Sequence, residues 1–172
     1  MSLYTAWINL IKEKADEDWL TDSQREVYES ISSRWKSAQF VNLHGPDGGG
    51  KTFIARLLAK KRGYAYVHEL EQAPQNAANV ILDNAQYTRM MRPLARSMGL
   101  ERILLITNRP LQEAMPEIGL KLNERDVRQF QATLANHCGI VFTETVPEGL
   151  NLTEIIHKEV TKRGESYVHQ RP

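Results

Sequence analysis

Gly45, Pro46, Asp47, Gly48, Gly49, Gly50, Lys51 and Thr52 stand in the order G-x-x-x-x-G-K-T. That spacing suits the capture of a phosphate chain. Backbone N–H groups must close around phosphate oxygens, and bulky side chains would block the approach. Four glycines in eight residues let the chain come close and take positive φ angles. Lys51 can reach β- and γ-phosphates as a point charge. The Thr52 hydroxyl can ligate Mg²⁺. Phe53 to Arg62 has a helical pattern, so the anion would sit at a helix N-terminus with Phe53 in its first turn. Phe40 to His44 reads as a strand, which gives the order strand, glycine loop, helix that the motif needs.

A second chemical position lies about thirty residues after Lys51. Asn79-Val80-Ile81-Leu82 is a mostly apolar run that delivers Asp83 to a sheet edge, where its carboxylate can hold Mg²⁺ through water. Asn84 follows where a glutamate could orient an attacking water, and an amide cannot take a proton as a carboxylate can. Glu69 and Glu71 follow the second strand, and Glu69 is the candidate base. Thr107-Asn108 ends a fourth strand, and Asn108 is the candidate sensor of a γ-phosphate. Arg109, Arg125 and Arg128 come later as candidate finger arginines. Gln24 can contact adenine, or close the capping box Thr21-Asp22-Ser23-Gln24. The histidines show no metal-ligand spacing.

The elements that must position these residues alternate. Tyr4, Trp7, Ile8, Ile11 and Ala15 recur at helical spacing, and Val27, Ile31 and Trp35 mark a second helix. Strands are expected at Phe40–His44, Tyr64–His68, Val80–Asp83, Ile103–Thr107 and Gly139–Thr143. Helices are expected from Phe53 to Arg62, from Ala85 to Met98 with a kink at Pro93, from the Asn123 cap to about Asn136, and from about Thr153 to Arg163, stopped by Gly164. Pro147 and Gly149 mark a turn, and Glu165 to Pro172 reads as a loose tail. The expected fold is α/β: a three-layer sandwich with a five-stranded, mainly parallel sheet and an N-terminal helical extension. Residues 1–37 are expected to form that extension, with Trp7, Trp19 and Trp35 packing it onto the core or offering an aromatic surface to a partner, and residues 38–172 the core with its C-terminal helix.

Composition sets the outer limits. The 172 residues carry a net charge of +1, so no global charge draws the chain to nucleic acid or an anionic membrane. No apolar run reaches the length of a membrane span, and the N-terminus lacks a signal-peptide core. The single cysteine, Cys138, excludes an internal disulfide framework and fits a reducing cytoplasm.

With these residues placed, the chain resembles a P-loop NTPase of the additional-strand class, which includes AAA+ proteins and RecA-type ATPases. The resemblance covers about Phe40 to Thr143. Gly45-Pro46-Asp47 is similar to the opening of RecA-type loops and some initiator-like AAA+ loops. Tyr66-Val67-His68-Glu69 is similar to where RecA-type enzymes place a catalytic glutamate. Leu82-Asp83-Asn84-Ala85-Gln86 resembles a Walker B segment with its glutamate replaced. Ile106-Thr107-Asn108-Arg109-Pro110 resembles the sensor-1 strand of initiator-related AAA+ proteins. One clear helix follows the fifth expected strand, so the resemblance implies a minimal member without a full AAA+ lid. It implies ATP and Mg²⁺ as cofactors, a weak or partner-stimulated ATPase, nucleotide-dependent assembly with itself or another protein, and DNA as a partner by family analogy. Two other functions stay open: a non-hydrolysing ATP switch, which Asn84 favours, and a small-molecule kinase. The latter would need a basic lid, and Asn108 to Leu122 offers only Arg109 and Lys121.

Overall fold

In the computed structural model, residues 3–142 and 152–168 are described, with side chains as far as 163. Packing groups the chain into two compact units: Ser23–Lys121, and Met1–Asp22 together with Leu122–Pro172. The division expected at residue 37 concerns separable folding units, which limited proteolysis would test.

The first unit holds helix α2 (Asp22–Arg34) and a five-stranded sheet, β1 (Phe40–His44), β2 (Ala65–Val67), β3 (Asn79–Leu82), β4 (Arg102–Thr107) and β5 (Glu117–Gly119). The strand order is β2-β3-β4-β1-β5, and every pairing is parallel. The three central strands are buried on both faces, which is why they read as continuous apolar runs. On one face Phe40, Val80, Leu82, Ile103 and Leu105 join Ala95 and Leu100 in one core. By strand alternation, Val41, Leu43, Ile81, Leu104 and Ile106 supply the other face, each at most 2 % exposed.

Helix α3 (Lys51–Arg62) connects β1 to β2. It buries Ile54, Ala55, Leu57 and Leu58 and ends at Gly63 in the left-handed conformation, with three cations in its last turn. Helix α4 (Met91–Ser97) is shorter than the periodicity predicts. Pro93 does not kink it but sits in its first turn, where a missing N–H costs little. Residues 85–88 therefore run as an irregular segment.

The fifth strand is a correction. Gly139 to Phe142 is not a strand, and Thr143 lies outside the described residues. Gly139 instead terminates the preceding helix at φ 68°. Its N–H and that of Ile140 return to the carbonyls of Ala135 and Leu134. Ile140 is buried behind that cap and Val141 is exposed. The sheet takes its fifth strand from Glu117–Gly119, beside β1.

The second unit holds α1 (Leu3–Lys14), α5 (Glu124–Cys138) and α6 (Leu152–Val168). Asn123 caps α5 as expected, in a reciprocal box with Asp126. Trp7 lies under the Arg163 guanidinium and Trp19 against the His137 ring. Trp35, in the sheet unit, meets Tyr64 edge-on. Helix α6 continues past Gly164, so the stop expected there is also corrected. The expected turn at Pro147 and Gly149 and the last four residues fall outside the described residues.

Candidate nucleotide and metal site

The glycine loop lies between β1 and α3, at the carboxyl end of β1, an inner strand of the sheet. This is where parallel α/β sheets hold ligands. Gly45 makes the closest approach: a Cβ there would lie 2.4 Å from the Leu120 carbonyl oxygen. Leu120 is itself held by its N–H on the His44 carbonyl at 2.8 Å. Gly50, the N-cap of α3, has φ 93°, a conformation glycine adopts without strain.

Lys51 is buried. Its Nζ donates to the carbonyls of Gly45 and Pro46, both at 2.8 Å, so the lysine holds the loop's own backbone in a closed turn. Burial lowers its pKa, and the carboxylates of Asp47 and Asp83 oppose that shift. The Gln24 amide donates to the Gly49 carbonyl at 3.2 Å and thereby ties α2 to the loop. Pro46 and Asp47 are exposed, Gly48 and Phe53 half-buried.

Thr52 and Asp83 come together. The Thr52 hydroxyl donates to Asp83 Oδ2 at 3.1 Å. Asp83 Oδ1 accepts the Asn84 N–H at 3.0 Å, and the Tyr66 phenol donates to Oδ2. A hydroxyl and a carboxylate beside a phosphate loop are the two protein groups that a Mg²⁺ shared with phosphates needs, so the donor set fits that ion. Among the described residues no three His, Cys, Asp or Glu side chains converge on a metal site.

The other expected residues do not join this pair. Glu69 is exposed at the start of a single 3₁₀ turn, and its carboxylate accepts the Gln72 amide at 3.1 Å. Asn108 is exposed at the end of β4. Thr107, its neighbour, is buried with its hydroxyl shared between Asn42 Oδ1 (3.0 Å) and the Arg109 carbonyl (2.7 Å). Asn84 has φ 56°, so the residue after Asp83 occupies a left-handed turn that asparagine tolerates and glutamate does not favour. Of the candidate fingers, Arg125 pairs with Asp22 at 3.1 Å and Arg128 with Glu124 at 2.8 Å, all four side chains largely exposed. Arg109 is exposed.

Sequence reasoning missed Tyr66 and Leu120. Tyr66 pairs in register with Ile81, so the alternation that puts Ile81 on one face also brings the phenol toward Asp83, two residues on. Once the register is known that signal is plain. Without it, Tyr66 is one aromatic among several in a short strand. Burial raises the pKa of its phenol first, and the hydrogen bond and charge of Asp83 add to the rise. The Arg56 guanidinium, 4.6 Å over the ring, acts against it.

Sheet order, loop and site together define a P-loop NTPase-like α/β fold. Two solved structures share it: a replication initiator DnaA bound to AMPPCP and single-stranded DNA (14% identity, 84% of this chain and 59% of that one, TM-score 0.50) and a DNA replication initiation factor (15% identity, 82% and 62%, TM-score 0.51). This chain therefore spans about three-fifths of the length of those structures. At such identity the likeness is one of fold. No protein-family model and no curated protein matches the chain.

Proposed function

We propose that the chain binds ATP with Mg²⁺ at the loop Gly45–Phe53, and that it is a cytoplasmic, partner-stimulated ATPase of AAA+ type with little turnover on its own. The observation that carries this reading is the Thr52–Asp83 pair, 3.1 Å apart, beside a closed glycine loop whose lysine is already buried. Bound ATP with Mg²⁺ would supply the anhydride bond to be cleaved and a cation to neutralise phosphate charge, held by Lys51, Thr52 and Asp83. Lys51 would exchange two loop carbonyls for phosphate oxygens, and Thr52 would turn its hydroxyl from Asp83 to the cation. Asn108 is free to reach a γ-phosphate from the end of β4. Slow turnover would follow from the state of the two candidate positions for a base. Asn84 is an amide, and Glu69 would have to leave Gln72.

The nucleotide and single-stranded DNA bound to the DnaA neighbour make ATP and single-stranded DNA the first ligands to try. Nucleotide-driven assembly, with itself or with another protein, belongs to the same proposal. Equilibrium binding of ATP with Mg²⁺, followed by turnover with and without single-stranded DNA, tests it against Lys51→Ala. Binding lost in that variant supports the reading. Equal binding by both chains refutes it. The non-hydrolysing switch is favoured by the left-handed Asn84, and it holds if ATP binds but no condition yields phosphate.

A further inference from the structure

Asp83 is held by three donors. An ionised carboxylate offers about four lone-pair positions. Three are taken: two on Oδ2, by the Thr52 hydroxyl and the Tyr66 phenol, and one on Oδ1, by the Asn84 N–H. These three donors differ in what holds them. The Asn84 N–H is backbone. Tyr66 is half-buried in β2, with the Arg56 guanidinium 4.6 Å over its ring. Arg56 lies one helical turn after Thr52 on α3, so the same helix that carries the metal-binding hydroxyl also clamps the phenol. Thr52 is exposed, and its hydroxyl is the donor expected to leave when a cation arrives.

We infer that Tyr66 is a positioning residue for the metal site: its phenol, clamped by Arg56, fixes the plane of the Asp83 carboxylate when Thr52 turns away to the cation. This rests on the function proposed above. With Tyr66 in place, each Asp83 oxygen keeps one fixed donor after Thr52 leaves. Without it, Oδ2 has no donor left among these three, and the carboxylate can rotate about its last bond. Partners that orient a metal-binding carboxylate are worth about 10- to 100-fold in metal affinity. Phosphate contacts through Lys51 and the loop backbone do not pass through Tyr66, so nucleotide binding without metal should be indifferent to it.

The test uses the full chain and a fluorescent ATP analogue, with affinity measured in EDTA and then across a MgCl₂ titration. Tyr66→Phe keeps the ring and loses only the hydroxyl. It should bind the analogue in EDTA as the parent does, and need about tenfold more MgCl₂ to reach half of the metal effect. Arg56→Met, at an exposed helix position, removes the clamp while leaving the phenol, and should move the same midpoint in the same direction by about threefold. A MgCl₂ midpoint unchanged or lowered in Tyr66→Phe overturns the inference. Should Tyr66→Phe fail to fold, an unchanged midpoint in Arg56→Met overturns it instead. A parent chain whose affinity does not respond to MgCl₂, or equals that of Lys51→Ala, overturns the proposed function and this inference with it. A parent that responds, beside a Tyr66→Phe that responds identically, sinks this inference alone.

Discussion

Replacing Gly45 with alanine puts a number on how tightly the loop is built. The added Cβ would lie 2.4 Å from the Leu120 carbonyl oxygen and 3.3 Å from its carbon. Contacts under 3.0 Å are essentially never seen for real Cβ atoms, so the two backbones must move apart. Neither side yields easily. Leu120 is held by its N–H on the His44 carbonyl at 2.8 Å, and the Gly45 carbonyl accepts the Lys51 ammonium at 2.8 Å. Overpacking of this kind costs about 1–3 kcal/mol, and loss of the Leu120–His44 hydrogen bond adds about 1 kcal/mol. Gly45→Ala should therefore lose about 2–4 kcal/mol in urea unfolding. Gly63→Ala is the control. Its φ is also positive, at +67°, but a Cβ there meets nothing within 4 Å, so only the backbone cost of about 1 kcal/mol applies. If Gly45→Ala costs no more than Gly63→Ala, the approach of Leu120 to the loop is soft, and the argument that glycine is required there fails.

Asn84→Glu, the substitution that would restore a carboxylate after Asp83, should cost about 1 kcal/mol because φ is 56°, and should not raise turnover. Asn84→Gly should be neutral or slightly stabilising in the same unfolding assay. For Tyr66, the native phenol keeps a proton that the unfolded chain releases near its ordinary value of 10.0. Its contribution is complete below that pH and is lost as pH climbs toward the raised native value. The stability gap between parent and Tyr66→Phe should thus narrow above about pH 10, and a gap that widens there would contradict the assignment. Arg125→Ala and Arg128→Ala break exposed ion pairs and should each change stability by less than about 0.5 kcal/mol. If either arginine acts as a finger, partner-stimulated turnover falls while the melting curve stays put.

The glycine loop between β1 and α3 was readable because glycine spacing reports backbone geometry directly. Strands β1, β3 and β4 were readable because burial on both faces makes them largely apolar runs. Two features were hidden for opposite reasons. Gly139-Ile140-Val141-Phe142 has the composition of a strand, yet its glycine is spent on capping α5 and its isoleucine on covering that cap. Local helix termination won over β propensity. Glu117-Ile118-Gly119 has the composition of a loop, yet it pairs with β1. Tyr66 belongs to a third kind, visible only once strand register is known.

What holds so weak a strand in the sheet also explains a fully buried polar residue in β1. Asn42 is fully buried in β1, between β4 and β5. Its amide nitrogen donates to Glu117 Oε2 at 2.7 Å and its oxygen lies 3.0 Å from the Thr107 hydroxyl. Glu117 Oε1 accepts the Leu111 N–H at 3.0 Å, and the Asn42 N–H donates to the Pro116 carbonyl at 2.9 Å. An unsatisfied amide in that position would cost about 1–3 kcal/mol, so the asparagine demands a partner that apolar pairing cannot supply. Glutamate at 117 meets the demand, and in doing so fixes the register of a strand only three residues long. The register in turn sets Leu120 against Gly45 and the His44 carbonyl. The shape of the glycine loop therefore depends on a buried polar chain from Thr107 through Asn42 to Glu117, as well as on the glycines themselves.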